Sequence, residues 1–105
     1  LRLVSPSGRS LCYPGDTDEC DAVVDLARQV DLLVLECSHP DERKVAGHLS
    51  PTPCGRMADA AQAKALLLTH FYPGWDPAAA VPIVRRRYDG PISLATDGLI
   101  MEVGS

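Results

Sequence analysis

The sequence predicts an α/β fold on a mainly parallel sheet. Two short, unbroken apolar runs, "DLLVLEC" from Asp31 and "KALLLTHF" from Lys64, read as strands buried on both faces. Each is preceded by a segment with the features of a helix, so strand, helix and strand follow one another as in a βαβ unit. At the N-terminus, "LRLVS", the turn "PSG" and "RSLCYP" alternate apolar and polar residues and read as a hairpin over residues 1–14.

The elements follow in order. From Asp18 to Val30, Cys20, Val23, Val24, Leu26, Ala27 and Val30 fall on a helical stripe, and Thr17 or Asp18 can cap its start. "SHPDERKVAGHLS" after the first buried strand is a loop of about a dozen residues, a length that is uncommon and often functional. Within it, Asp41 to Lys44 read as a solvated turn. Pro51 or Pro53 opens the next helix, "PTPCGRMADAAQA", whose first turn Gly55 weakens. After "KALLLTHF" come the loop "YPGWDP" and a helix "PAAAVPIVRRRY", in which Pro82 must lie in the first turn or make a kink. "DGPISLATDGLIMEV" reads as two strand runs joined at Asp97-Gly98, a dipeptide that favours hairpins.

At 105 residues this is one unit, residues 1–105, and too short for a large two-part enzyme. An apolar content of 46% with 23% charged residues is enough for a core and excludes a disordered chain. The net charge is −4 and the one basic run is Arg85-Arg86-Arg87, so no broad electrostatic footprint for nucleic acid is present. No apolar stretch reaches the roughly 18–20 residues that span a bilayer, and no signal-peptide pattern opens the chain, which predicts a cytoplasmic protein with no membrane partner. Cys12, Cys20, Cys37 and Cys54 form no Cys-x-x-Cys pair and read as reduced thiols, with a zinc site as the alternative that their spacing disfavours.

Three chemically capable residues fall just beyond predicted strand ends: Asp16, Glu36 and His70. Strand ends are where α/β sheets open into ligand crevices. A carboxylate and an imidazole suit Zn²⁺, and a short Asp can bridge two cations. Each residue also has a structural reading. Gly15-Asp16-Thr17 is a good turn and helix cap by itself, Glu36 can pair with Arg or Lys, and His70 can be satisfied by a carbonyl. His39 is expected to be solvent-exposed. Tyr72 and Trp75 either line a pocket or anchor their loop by burying aromatic area. Cys37, Cys54 and Met57 are expected in the core.

Taken together, "YPGDTDECDAVVDLARQVDLLVLECS", "GHLSPTPCGRMA", "LLLTHFYPGWDP" and "ISLATDGLIMEV" resemble successive blocks of the metallo-β-lactamase-fold hydrolases, in particular the ribonuclease Z-like branch. The resemblance covers nearly the whole chain but only the C-terminal half of such a protein. It implies one half of an αββα sandwich: a mixed sheet with helices on its outer face. It also implies that Asp16 bridges two metal ions and that His70 ligates one of them. His48, two residues before Ser50 in "HLS", would lie near the scissile phosphate and pair with Glu36, which orients it as a proton donor to the leaving oxygen. The cofactor implied is zinc, two ions in the complete protein, with other divalent metals compatible. The substrate implied is a phosphodiester or ester, RNA included.

The family's His-x-His-x-Asp-His motif is absent; the chain's histidines are His39, His48 and His70. Asp16 and His70 alone cannot close a two-metal site. The isolated chain is therefore expected to be inactive. A lone sheet would also leave one apolar face wet, so the expected partner is the missing N-terminal half, another chain supplying it, or a second copy. The competing reading is a noncatalytic interaction module that associates through the same face.

Overall fold

The computed structural model describes residues 1–104. Its five strands are β1 (Arg2–Val4), β2 (Ser10–Cys12), β3 (Leu32–Glu36), β4 (Leu66–Thr69) and β5 (Ile92–Leu94), and they lie side by side in chain order. β1 and β2 are the expected antiparallel hairpin, and β2 through β5 are parallel. The parallel steps are made through α1 (Asp21–Leu26), α2 (Pro51–Ala61) and α3 (Ala80–Arg85). Right-handed crossovers taken in sequence put every helix on the same side of the sheet. The fold is thus the predicted mixed sheet with helices on one face.

Register decides which side chains meet those helices. Leu33 is opposite Leu66 and Leu35 opposite Leu68, and all four are buried with Cys12 of β2, Met57 and Ala58 of α2, and Val84 of α3. The alternate residues, Leu11, Val34 and Leu67, are only half-buried, and Leu3 is exposed. Leu32 is the exception on that side, because Met101, Glu102 and Gly104 pass beside it at the amino end of the strands. Cys37, Cys54 and Met57 are in the core as expected.

Local chemistry explains the helix ends. Pro51 stands in the first turn of α2, and its N-terminus is served from a distance: the Asp41 carboxylate accepts from the Thr52 backbone N–H at 3.0 Å and from its hydroxyl at 2.6 Å. Desolvation pushes the Asp41 carboxyl up, yet these bonds prevail and hold it below the usual value. Gly55 is a close approach rather than a flaw, since a Cβ there would lie 3.0 Å from the Val84 carbonyl of α3. Pro82 lies in the first turn of α3, as one of the two expected alternatives had it, after a 3₁₀ turn (Pro77–Ala79) capped by Asp76. Arg85 donates to the carbonyls of Tyr88 and Gly90 beyond the helix end.

Several expectations need correction. α1 is shorter than residues 18–30 and starts with Cys20 at its cap position and no side-chain cap bond, while Thr17 and Asp18 lie before it, Asp18 bonded to the Gly47 N–H. The turn at Asp97-Gly98 forms, with Leu99 N–H bonded to the Thr96 carbonyl, but no second strand follows among the described residues. β5 pairs in parallel with β4, and the chain leaves its outer edge to run toward Leu32 instead of doubling back. Asp41–Arg43 is a 3₁₀ turn, and Glu42, Arg43 and Lys44 are exposed as expected, but it is also tied down: Asp41 caps α2, Arg43 donates to the Gly74 carbonyl and Lys44 pairs with Asp18.

Candidate functional site

Three strand ends deliver Asp16, Glu36 and His70 to one place. Each offers a ligand atom, and these atoms lie within 4.8 Å of one another. After β2, Gly15 has φ +74° with open space where a Cβ would stand, so the turn that presents Asp16 requires glycine for conformation alone. Glu36 closes β3 on the side away from the helices and is 8% exposed. His70 has φ +57°, a left-handed conformation uncommon outside glycine that costs on the order of 1–3 kcal/mol. Strand alternation would place His70 with Leu66 and Leu68 under the helices. The left-handed residue breaks that alternation and turns the imidazole to Glu36, with Nδ1 3.8 Å from Oε1.

The Glu36 carboxylate is half satisfied. Tyr13 donates its phenol hydrogen to Oε1 at 2.7 Å, while Oε2 is buried and has no partner. That bond, helped by burial and the Glu36 and Asp16 charges, pushes the Tyr13 phenol up. An orphaned buried carboxylate oxygen is costly, and a cation removes the cost. Two carboxylates and an imidazole form a donor set that fits Zn²⁺ and other divalent cations.

His48 lies apart from this cluster. No hydrogen bond joins it to Glu36 among the described residues; its ring packs instead against His39, with centroids 5.9 Å apart, and against Tyr72 at 5.8 Å. His39 is half-buried, not exposed as its polar loop suggested. Of the two aromatic candidates, Trp75 is an anchor: it packs on Phe71 and its indole N–H donates to the Ser38 carbonyl at 3.3 Å. Tyr72 stays more open, with its ring 5.3 Å from that of His70.

The loop that carries His48 is fixed to the loop that carries Asp16. Asp18 accepts from the Gly47 N–H at 2.9 Å and pairs with Lys44 at 2.8 Å. Lys44, then the Gly47 and Glu19 amides, pull the Asp18 carboxyl down to about 2.

A family model described as a β-lactamase superfamily domain matches residues 2–71. The chain belongs to that superfamily. It is 38% identical over 105 residues to an uncharacterized protein of Mycobacterium leprae, covering 98% of this chain and 37% of that protein. It is 34% identical over 102 residues to the ribonuclease Z of Myxococcus xanthus, covering 91% of this chain and 33% of that enzyme. The fold matches the crystal structure of the metallo-β-lactamase fold protein YhfI from Bacillus subtilis with a TM-score of 0.83 at 23% identity, over 94% of this chain and 46% of that one. The resemblance to the ribonuclease Z-like branch read from the sequence blocks thus holds. The chain spans about a third of the length of the curated relatives it matches.

Sequence reasoning placed Asp16 and His70 together, and they are together. Glu36, the third residue expected at a strand end, joins them. Missed were the bond by which Tyr13 holds Glu36 and the place of His39 beside His48. The first had a usable signal, since Leu11, Leu32 and Val34 mark one face of the sheet and Tyr13 and Glu36 continue it at period two. The second had none, because His39 is placed by hydrogen bonds between loops.

Proposed function

We propose that this chain is the C-terminal part of a metal-dependent hydrolase of phosphodiesters, similar in its reaction to the ribonuclease Z relative. The observation that carries the reading is the convergence of Asp16, the orphaned Glu36 carboxylate and His70 at the carboxyl edge of a metallo-β-lactamase-type sheet. Asp16, Glu36 and His70 would hold divalent metal, zinc being the best match to the donor set, and two ions in the complete protein. Bound there, such metal supplies Lewis acidity toward a phosphoryl oxygen and toward water. Tyr13 keeps Glu36 aimed at the cluster. His48, whose loop Asp18 holds beside the Asp16 turn, is the proton donor to the leaving oxygen.

Three side chains are too few to close a tetrahedral zinc site, let alone two. The remaining ligands come from a segment lying on the open face of the sheet, where Leu3, Leu11, Val34 and Leu67 offer apolar surface. The isolated chain is then inactive and the complete protein active. All four cysteines are free, three of them buried, which suits a reducing cytoplasm.

The test is hydrolysis of bis(p-nitrophenyl) phosphate and of a short RNA by the complete protein, before and after a chelator. Hydrolysis lost to the chelator and restored by zinc is expected. Chelator-resistant hydrolysis, or none of either substrate, refutes the reading. The interaction-module alternative predicts no hydrolysis and no retained metal.

A further inference from the structure

His39 was not among the residues expected to act, yet the structure builds it into the rim beside His48. The loops are tied one residue away from each ring. Ser38 N–H bonds to the Leu49 carbonyl at 3.1 Å, which brings His39 next to His48, and Tyr72 N–H bonds to the Ser38 carbonyl at 2.9 Å, which adds Tyr72. Cys37 also bridges Leu49 as an isolated parallel pair. The His39 ring centroid is 4.6 Å from that of Tyr72 at 64°, and the His39 and His48 rings are nearly perpendicular at 85°.

These rings are held, and their polar atoms are open to solvent. Both imidazoles are half-buried, and neither ring forms a hydrogen bond or ion pair with protein among the described residues; the Tyr72 hydroxyl forms no hydrogen bond either. Donors fixed in position with no protein partner can exchange water for a ligand at little ordering cost. The three side chains bring N–H and O–H donors and no carboxylate. Among the described residues the one group of three metal-competent side chains is Asp16, Glu36 and His70, and it does not include His39 or His48.

We infer that His39, with His48 and Tyr72, forms a surface cluster for phosphoryl oxygens, and that His39 is a second imidazole contacting the substrate phosphate. This rests on the phosphodiester reading for its substrate, though the anion site stands on its own geometry. The rim is divided: carboxylates and His70 face the cation, while His39, His48 and Tyr72 face the anion. Tyr72, which touches all three imidazoles, is the seam between them.

The test uses the complete, metal-loaded protein and inorganic phosphate. In long-range ¹H–¹⁵N spectra, the His39 and His48 ring signals should shift together as phosphate is added. His39→Ala should weaken phosphate binding about tenfold, the loss of one charge-assisted hydrogen bond, and raise KM for a phosphodiester while leaving metal content unchanged. His39→Phe keeps a packed ring without donors, and should bind phosphate as poorly as the alanine variant. The inference is overturned if His39→Phe binds phosphate like the parent, if His39 stays still while His48 shifts, or if His39→Ala loses a metal ion. Hydrolysis by the parent with a silent His39 sinks the inference and spares the hydrolase reading. Phosphate-dependent His39 shifts in a protein that hydrolyses no phosphodiester do the reverse.

Discussion

The two faces of the sheet carry similar residues and have different fates. Leu35 and Leu68 are fully buried beneath α2 and α3, whereas Val34 and Leu67, their neighbours on the same strands, are half-exposed. Apolar content is therefore not what separates core from interface; which face the right-handed crossovers cover is. The candidate metal centre belongs to the uncovered face. Glu36 is on it, and His70 leaves the covered face for it by a left-handed turn. The candidate centre thus sits where this chain lacks cover, as the proposed sharing of the site with another segment would require.

The contrast can be broken most forcefully by truncation. Leu35→Ala should cost about 2–5 kcal/mol in urea unfolding of the chain, the range for emptying a packed leucine site. Leu67→Ala on the open face should cost about 1 kcal/mol or less, and should approach the Leu35 value only in the complete protein, where the proposed segment would cover the face. Equal losses in the isolated chain would erase the distinction. A smaller effect is expected under the helices. Gly55→Ala gains about 1 kcal/mol of helix propensity, but its Cβ meets the Val84 carbonyl at 3.0 Å, and overpacking costs about 1–3 kcal/mol. The net should be a lowered thermal midpoint, with α2 and α3 pushed apart; a raised midpoint would show that the helices can give way freely.

The smallest effect belongs to the rim. The folded carboxyl of Asp18 is depressed to about 2, so its contribution is present above the ordinary carboxylate value of about 4 and fades as pH falls toward 2. Asp18→Asn should therefore lower the urea midpoint at neutral pH by an amount that shrinks between about pH 4 and 2. A pH-independent gap would mean that the Gly47 bond, which an amide oxygen can keep, was never the point of the charge. In the complete protein the same variant should slow turnover more than it weakens substrate binding, since it loosens the loop of His48.

The sequence made the strands legible because unbroken runs such as "LLVLE" and "LLLT" have no other economical reading. It made Glu36 and His70 legible because both stand where such runs end, and Asp16 because it follows a strand in the Gly15-Asp16-Thr17 turn. What it could not show depends on long-range geometry. The left-handed His70 leaves no compositional trace, and the Asp41 cap on α2 spans 11 positions in the chain. The strand expected after Gly98 followed a sound local rule. The turn formed, but tertiary packing sent the chain elsewhere, which a dipeptide cannot encode.

The most direct measurement is the metal content of the complete protein after exhaustive dialysis, for the parent and for Asp16→Ala. The parent should retain divalent metal, zinc first, and the variant should lose it while keeping its fold by circular dichroism. Full retention in Asp16→Ala would contradict a metal centre at these strand ends and return Asp16 to the role of a turn residue.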